Sequence, residues 1–316
     1  MVDIVTLTLN PSVDLSLSVD HVVDTVKLRC SEPRKDAGGG GVNVARVLKR
    51  LGSNCLAVYL AGGAVGACLA ELLDAERVDG KCIAIEGGTR ENVTVLETST
   101  RKEYRFVMPG PTLTELEWRR CLNELEALDP APRYVVASGS LPPGVPHDFY
   151  ARVARWAHTN GVRMALDASG DALAAALDVG VFLVKPSLDE LRALAHAPLA
   201  EPPQWREAAQ HLVERGAARI VALSLGSRGA FFATAGHVVA LPAPPVTVVS
   251  AVGAGDSFLA AIIWALDHEA SHEQALRYAI AAGSAAVLRA GTALCDTADV
   301  IRLYRDSYEL APAVGG

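Results

Sequence analysis

The strongest constraint in this chain is an alternation. Short, continuous apolar runs are separated, almost from end to end, by segments with helical spacing. The runs lie at residues 4–9, 55–60, 134–137, 163–167, 182–184 and 220–224. Each reads as a parallel strand covered on both faces. The helical segments lie at about 42–51, 64–75, 113–127, 147–159, 204–215, 255–267 and 273–289. In the first of these, Val44, Val47, Leu48 and Leu51 share one face, and Arg46, Lys49 and Arg50 are expected off it. This pattern predicts an α/β fold: a doubly wound, mainly parallel sheet flanked by helices, with right-handed crossovers. Residues 1–316 are expected to form one domain of this kind.

Two regions break the pattern. Residues 13–19 (VDLSLSV) alternate strictly, as do parts of 92–98 and 103–108. Strict alternation marks half-exposed antiparallel strands. Inserted at about 12–30 and 90–108, they are expected to build a small separate sheet. Its single apolar face would make a lid or a dimer surface.

Charge narrows the partners. Lys and Arg number 29 against 36 Asp and Glu, a net charge of −7 with no basic block. Nucleic acid is therefore not expected as a partner, and an anionic ligand must be held by local features. No apolar run reaches the roughly 18 residues of a membrane helix. The N-terminal stretch lacks the basic and long apolar regions of a signal peptide, so the protein is expected in the cytoplasm and off the membrane. Cys30, Cys55, Cys68, Cys82, Cys121 and Cys295 form no C-x-x-C pair and read as buried, reduced thiols. His268 and His272 straddle an expected helix boundary and are not read as a metal site. The final LAPAVGG reads as frayed.

Two glycine-rich stretches carry the chemistry. In DAGGGGVNVARVLKRLG, Gly38 to Gly41 precede a helix, and side-chain-free backbone lets a ligand approach closely. Asn43 in that helix's first turn can bond a hydroxyl-rich ligand, or it can simply start the helix. The run does not fit G-x-G-x-x-G and does not follow the first strand directly, which disfavours a dinucleotide site. In SAVGAGDSF, Gly253, Ala254 and Gly255 open a strongly apolar helix, so their N–H groups can gather around an anion. Asp256 behind them is either a helix cap or a proton acceptor beside that anion; the motif alone leaves both open. No Walker A pattern occurs. Three further loops, ASGSLPPGVP, FLVKPSLDEL and VALSLGSRGA, follow strands. Ligands of open α/β sheets bind beyond the carboxyl ends of strands, so these loops are expected to face one crevice.

Taken together, TLNPSVD, GGGGVNVARVLKRLG, SGSLPPG, LVKPSLDEL, SLGSRGA and VGAGDSFLAA resemble the PfkB family of carbohydrate kinases, with its ribokinase-like fold. The resemblance runs from about residue 3 to 305. The strings KLRC, YRFVMPG and AAGSAA are most similar to the family's minor-type ATP-dependent 6-phosphofructokinases. 1-Phosphofructokinases and tagatose-6-phosphate kinases are near relatives. The resemblance implies transfer of the γ-phosphoryl group of ATP to the C1 hydroxyl of fructose 6-phosphate.

The same resemblance implies roles for matching positions. Asp256 would be the catalytic base and Gly253, Ala254 and Gly255 the anion hole. Asp14, Gly39, Gly40, Asn43 and Ser140 would meet the sugar. Lys27, Arg29 and Arg90 would meet its phosphate, some of them across a homodimer built through the lid. Lys185, Ser187, Ser224, Gly226, Gly229 and Ser284 would line the ATP site, and Glu190 would help to hold Mg²⁺ through water. The carbonyls of Ser250, Val252, Ala286 and Gly291 would suit K⁺. The chain departs from the family pattern at Ser187, where an amide side chain is usual. It also departs at Arg289 and Ala293, which stand where Asn and Arg are typical.

Overall fold

The computed structural model describes residues 2–308; the LAPAVGG end lies outside the described residues. From the N-terminus come β1 (Ile4–Thr8), β2 (Ser12–Val19), β3 (Arg34–Gly38), α1 (Gly40–Arg50), β4 (Cys55–Ala61), α2 (Gly63–Ala75), β5 (Asp79–Ala84), β6 (Arg90–Glu97) and β7 (Lys102–Phe106). Next are α3 (Glu115–Glu126), β8 (Tyr134–Ser138), α4 (Phe149–Thr159), β9 (Arg163–Asp167), α5 (Gly170–Val179), β10 (Val181–Val184), α6 (Leu188–Ala195) and α7 (Pro202–Glu214). The chain closes with β11 (Ala218–Ser224), β12 (Ala230–Thr234), β13 (His237–Leu241), α8 (Ala254–Asp267), α9 (His272–Ala286) and α10 (Thr297–Tyr308).

The apolar runs become the centre of a nine-stranded sheet, in the order β13-β12-β11-β10-β9-β8-β1-β4-β5. Strands β11 to β5 in that order pair in parallel, and the β12–β13 hairpin adds two antiparallel strands at one edge. All residues of β1 and β8 are buried, as two-faced cover requires. Ile4 packs with α1, α2, α8, α9 and α10 on one face of the sheet. Val5 and Leu7 pack with α3 to α7 on the other. Helix α8 is buried nearly all round from Ser257 to Ile263, the pattern of an interior helix.

A second sheet of four strands, in the order β3-β2-β6-β7, is separate from the first. Its middle pair, β2 and β6, is parallel, and both outer pairs are antiparallel. The stretch from 20 to 33 contributes no strand; the edge strand is β3, which runs into α1 with only Gly39 between them. Phe106, Val107, Met108, Val23 and Val26 are large apolar side chains left exposed on or beside this sheet.

Three expectations are corrected. Arg46 is not off the buried face of α1 but is 1% exposed. Its guanidinium is neutralised and hydrogen-bonded inside the protein, which is the condition under which a charge can be buried. Cys30 and Cys82 are exposed rather than buried, although all six cysteines are free. The 273–289 helix ends early, at Ala286. No helix among the described residues is long and apolar enough to cross a membrane.

Candidate active site

A cleft of about 310 Å³ lies between the C-terminal ends of β8 and β9, the start of α1, the start of α8 and the small sheet. A larger groove of about 1130 Å³ runs between α5, α6 and α7. Its lining also holds carboxylates, the Gln204 amide and the Arg215 guanidinium, but they stand mainly on the flanks of helices, whereas the smaller cleft lies beyond the carboxyl ends of strands, where ligands of open α/β sheets bind.

The glycine run explains how α1 reaches the cleft. Gly39 is the residue before the helix and has φ of 106°, a conformation that favours glycine. A Cβ on Gly40 would collide with Ser138 Oγ and sit 2.9 Å from the Ser138 carbonyl carbon. The start of α1 can therefore lie against the end of β8 only because these positions lack side chains. This places Asn43 in the cleft, where its Nδ2 donates to Asp256 Oδ2 at 2.8 Å.

Asp256 enters from α8. That helix starts at Gly253 in the left-handed region, with φ of 74°, and has no side-chain cap. Asp256 is thus not the cap. The helical ladder begins with Ser257 N–H donating to Gly253 O at 2.9 Å. The amides of Gly255 and Asp256 precede that ladder and present bare N–H groups at the helix end. Burial, then the nearby carboxylates of Asp167 and Asp14, raise the Asp256 pKa from 3.8 to about 6, while Asn43 and Lys185 pull against them. The side chain nonetheless keeps partial access to the cleft.

Behind it, Lys185 Nζ lies 3.0 Å from Asp167 Oδ2. Burial alone would lower the Lys185 pKa, but the carboxylates of Asp167, Asp256 and Glu190 outweigh it and leave it raised. The ammonium therefore stays charged. The small sheet supplies the opposite wall. Asp14 Oδ1 accepts from Ser12 Oγ at 2.7 Å and from Asn92 Nδ2 at 2.9 Å. Arg90 donates from Nη1 to Met108 O at 3.0 Å and from Nη2 to Asn10 O at 2.9 Å, while its buried Nε has no partner. Asn10 Nδ2 in turn donates to Ser140 Oγ at 3.0 Å.

Of the residues singled out in the sequence, the cleft gathers Asp14, Gly39, Gly40, Asn43, Arg90, Ser140, Glu190, Val252, Gly253 and Asp256. Lys27 and Arg29 lie on the exposed 20–33 stretch and do not line it. Nor do Ser187, Ser224, Gly226, Gly229 or Ser284. Ser187 is exposed and serves as the N-cap of α6: its Oγ accepts from Glu190 N at 3.2 Å, and its own N–H donates to Glu190 Oε2 at 2.7 Å. This explains the departure from the usual amide there, since Ser caps a helix as well as Asn does. Ser224 ends β11, and Gly226 and Gly229 belong to the turn that follows. Ser284 is buried on α9.

The loop holding Ser250 and Val252 touches the end of α9, because Val249 N–H donates to Val287 O at 2.7 Å. Ser250 Oγ also donates to Glu103 Oε2 at 3.1 Å. Ala286 O accepts from Arg289 N–H at 3.0 Å. Gly291 sits against the small sheet, beside Ser16 and the Arg34 guanidinium.

Asp167, Asn92 and Arg105 line the cleft and were not picked out from the sequence. Asp167 had a readable signal: it is a carboxylate at the C-terminal end of a parallel strand, followed by a small polar turn. Asn92 and Arg105 had none, since alternating strands do not disclose which residue faces a ligand.

A ribokinase-like α/β fold, with a small covering sheet over an acid-and-amide cleft, is the class these features define. The comparisons narrow it. The chain belongs to the pfkB family of carbohydrate kinases, whose model matches residues 7–299. It is 45% identical over 301 residues to the ATP-dependent 6-phosphofructokinase isozyme 2 of Mycobacterium tuberculosis (strain CDC 1551 / Oshkosh), covering 95% of this chain and 88% of that protein. It is also similar to the crystal structure of phosphofructokinase-2 from Escherichia coli in complex with fructose-6-phosphate, with a TM-score of 0.92 and 40% identity over 97% of this chain and 99% of that one. The Escherichia coli protein in complex with potassium gives a TM-score of 0.92 and 41% identity at the same coverage.

Proposed function

We propose that this chain transfers the γ-phosphoryl group of ATP to the C1 hydroxyl of fructose 6-phosphate. One observation carries the reading: a carboxylate with a pKa near 6 stands at an uncapped helix start inside a cleft. At neutral pH it is mostly ionised and can accept a proton. The hydroxyl oxygen attacks the γ-phosphorus, the bond to ADP breaks, and the hydroxyl proton passes to Asp256. The bare amide of Gly255, with Gly253 and Ala254 of the same turn beside it, would then face the charge on the migrating group.

Asn43 holds Asp256 and, with Asp14, Gly39, Gly40 and Ser140, bounds the sugar. Arg90 offers its unpartnered Nε to the sugar's phosphate, and Arg105 adds a second guanidinium from the small sheet. Lys27 and Arg29 would reach that phosphate from a second copy of the chain. The exposed apolar side chains of the small sheet support such a homodimer, and the sheet serves as the lid.

Lys185, Ser187, Ser224, Gly226, Gly229 and Ser284 lie on the nucleotide's side. Asp167 and Glu190 put carboxylates in the cleft, which fits Mg²⁺ held largely through water and phosphate. Bound there, Mg²⁺ would neutralise phosphate charge. For K⁺, the donor set fits at Ser250, Val252 and Ala286, where a helix C-terminus meets a loop next to Glu103. Gly291 suits it less, because the Arg34 cation is adjacent. We assign the protein to the cytoplasm.

ATP consumption against hexoses and hexose phosphates, with the product's phosphate positioned by NMR, tests the reading. Fructose 1,6-bisphosphate from fructose 6-phosphate is expected. Faster turnover of fructose 1-phosphate or tagatose 6-phosphate would replace the substrate, and no turnover of any of them would remove the activity.

A further inference from the structure

Arg46 has no part in that mechanism, yet it is among the most deeply buried side chains of the protein. It lies on α1, three residues after Asn43, and so on the same face. Its Nε donates to Glu76 Oε1 at 2.8 Å, and its Nη2 lies 2.6 Å from that same oxygen and 3.9 Å from Asp36 Oδ1. Its Nη1 is shared among Ala37 O at 2.6 Å, Thr292 O at 3.2 Å and Asn43 Oδ1 at 3.3 Å. Burial by itself would raise the Glu76 pKa, but Arg46 and Arg50 bring it below the ordinary value, so the guanidinium is anchored to an ionised partner.

An asparagine side chain has one accepting end and one donating end. With Oδ1 turned to the guanidinium, only Nδ2 remains to meet Asp256, and it does so at 2.8 Å. The opposite orientation would set oxygen against carboxylate and NH₂ against guanidinium, two repulsions in place of two attractions.

We infer that Arg46 is a positioning residue for phosphoryl transfer, fixing which end of the Asn43 amide faces Asp256. The inference rests on the reading of Asp256 as the base. The other charged groups facing Asp256 are Asp167 on β9 and Asp14 on β2, which raise its pKa, and Lys185 just after β10, which lowers it. Arg46 acts only through Asn43. Without it the amide is free to turn, the carboxylate loses its donor, and protonation becomes easier.

The test is the pH profile of kcat for Arg46→Met and Arg46→Lys. Lys keeps a buried cation near Glu76 but cannot serve Ala37, Thr292 and Asn43 together. The acid limb should move up by roughly one pH unit, the scale of one charge-assisted hydrogen bond. At pH 6 the ionised fraction would then fall from about one half to about one tenth, a loss of about fivefold that shrinks as the pH rises. A merely structural role lowers turnover by one factor at every pH. An active variant whose acid limb stays in place overturns the inference and leaves the kinase reading standing. A wild type with no acid limb overturns the inference together with the reading of Asp256 as the base. Should neither variant fold, the Asn43 side-chain N–H protons of the wild type are expected to shift as Asp256 titrates; protons indifferent to that titration overturn the inference.

Discussion

Changing Asp256 to Asn keeps the side chain's shape and removes its charge. Burial and the Asp167 carboxylate have raised this group's pKa from 3.8 to about 6. A folded-state pKa above the unfolded one means that ionisation opposes folding. The penalty is absent below about pH 4, grows as the pH climbs to about 6, and is complete by about pH 7. Two units of displacement correspond to roughly 3 kcal/mol. That is an upper figure, because one edge of the carboxylate still meets water in the cleft. Asp256→Asn should therefore melt several degrees above the wild type at pH 7, and the gain should fade near pH 4. In the same variant turnover should fall ~10²–10⁴-fold, the range for a lost general base. Fructose 6-phosphate should still bind, as measured by calorimetry. Calorimetric melts at several pH values and a coupled ADP assay give both readouts. Retained turnover would refute Asp256 as the base. A gain in Tm that ignores pH, or no gain, would refute the buried charge.

Arg90→Ala should raise the KM for fructose 6-phosphate about 10–100-fold and leave kcat nearly intact, as steady-state kinetics would show; an unchanged KM would take Arg90 off the phosphate. Gly40→Ala drives a methyl group into Ser138 and should cost about 1–3 kcal/mol in urea unfolding, with weaker sugar binding. Phe106 is 52% exposed on β7, so Phe106→Glu should convert a dimer to monomers in sedimentation; an unaltered dimer would move the interface elsewhere.

Much of the main sheet was legible because β1, β4, β8, β9, β10 and β11 are buried on both faces and therefore written in unbroken apolar residues. The edges were not. In β5 only Ile83 is buried, and in β3 the sequence Arg-Lys-Asp carries the marks of a loop. An edge strand needs little apolar content, since one side of it meets water. Helix α5, Ala-rich and weakly patterned, was passed over for the same kind of reason. In the cleft, Gly39, Gly40 and Gly253 were readable because close approach and left-handed backbone admit few other residues. Arg46 was misjudged because periodicity assigns charges to the solvent side. Its four hydrogen-bond partners come from the residue that caps α2, from β3, from the loop at Thr292 and from α1, which no local pattern can reveal. Lys27 and Arg29 came from resemblance alone, and they stand on the surface of their own chain.

Between β3 and α1 there is a single residue, Gly39. A pivot of the covering sheet at this glycine would leave α1 in place, because that helix is buried from Gly41 to Leu48 and its Asn43 is bonded to Asp256. The door and the base would then hang on opposite sides of one hinge, so the carboxylate would stand ready before any sugar arrives.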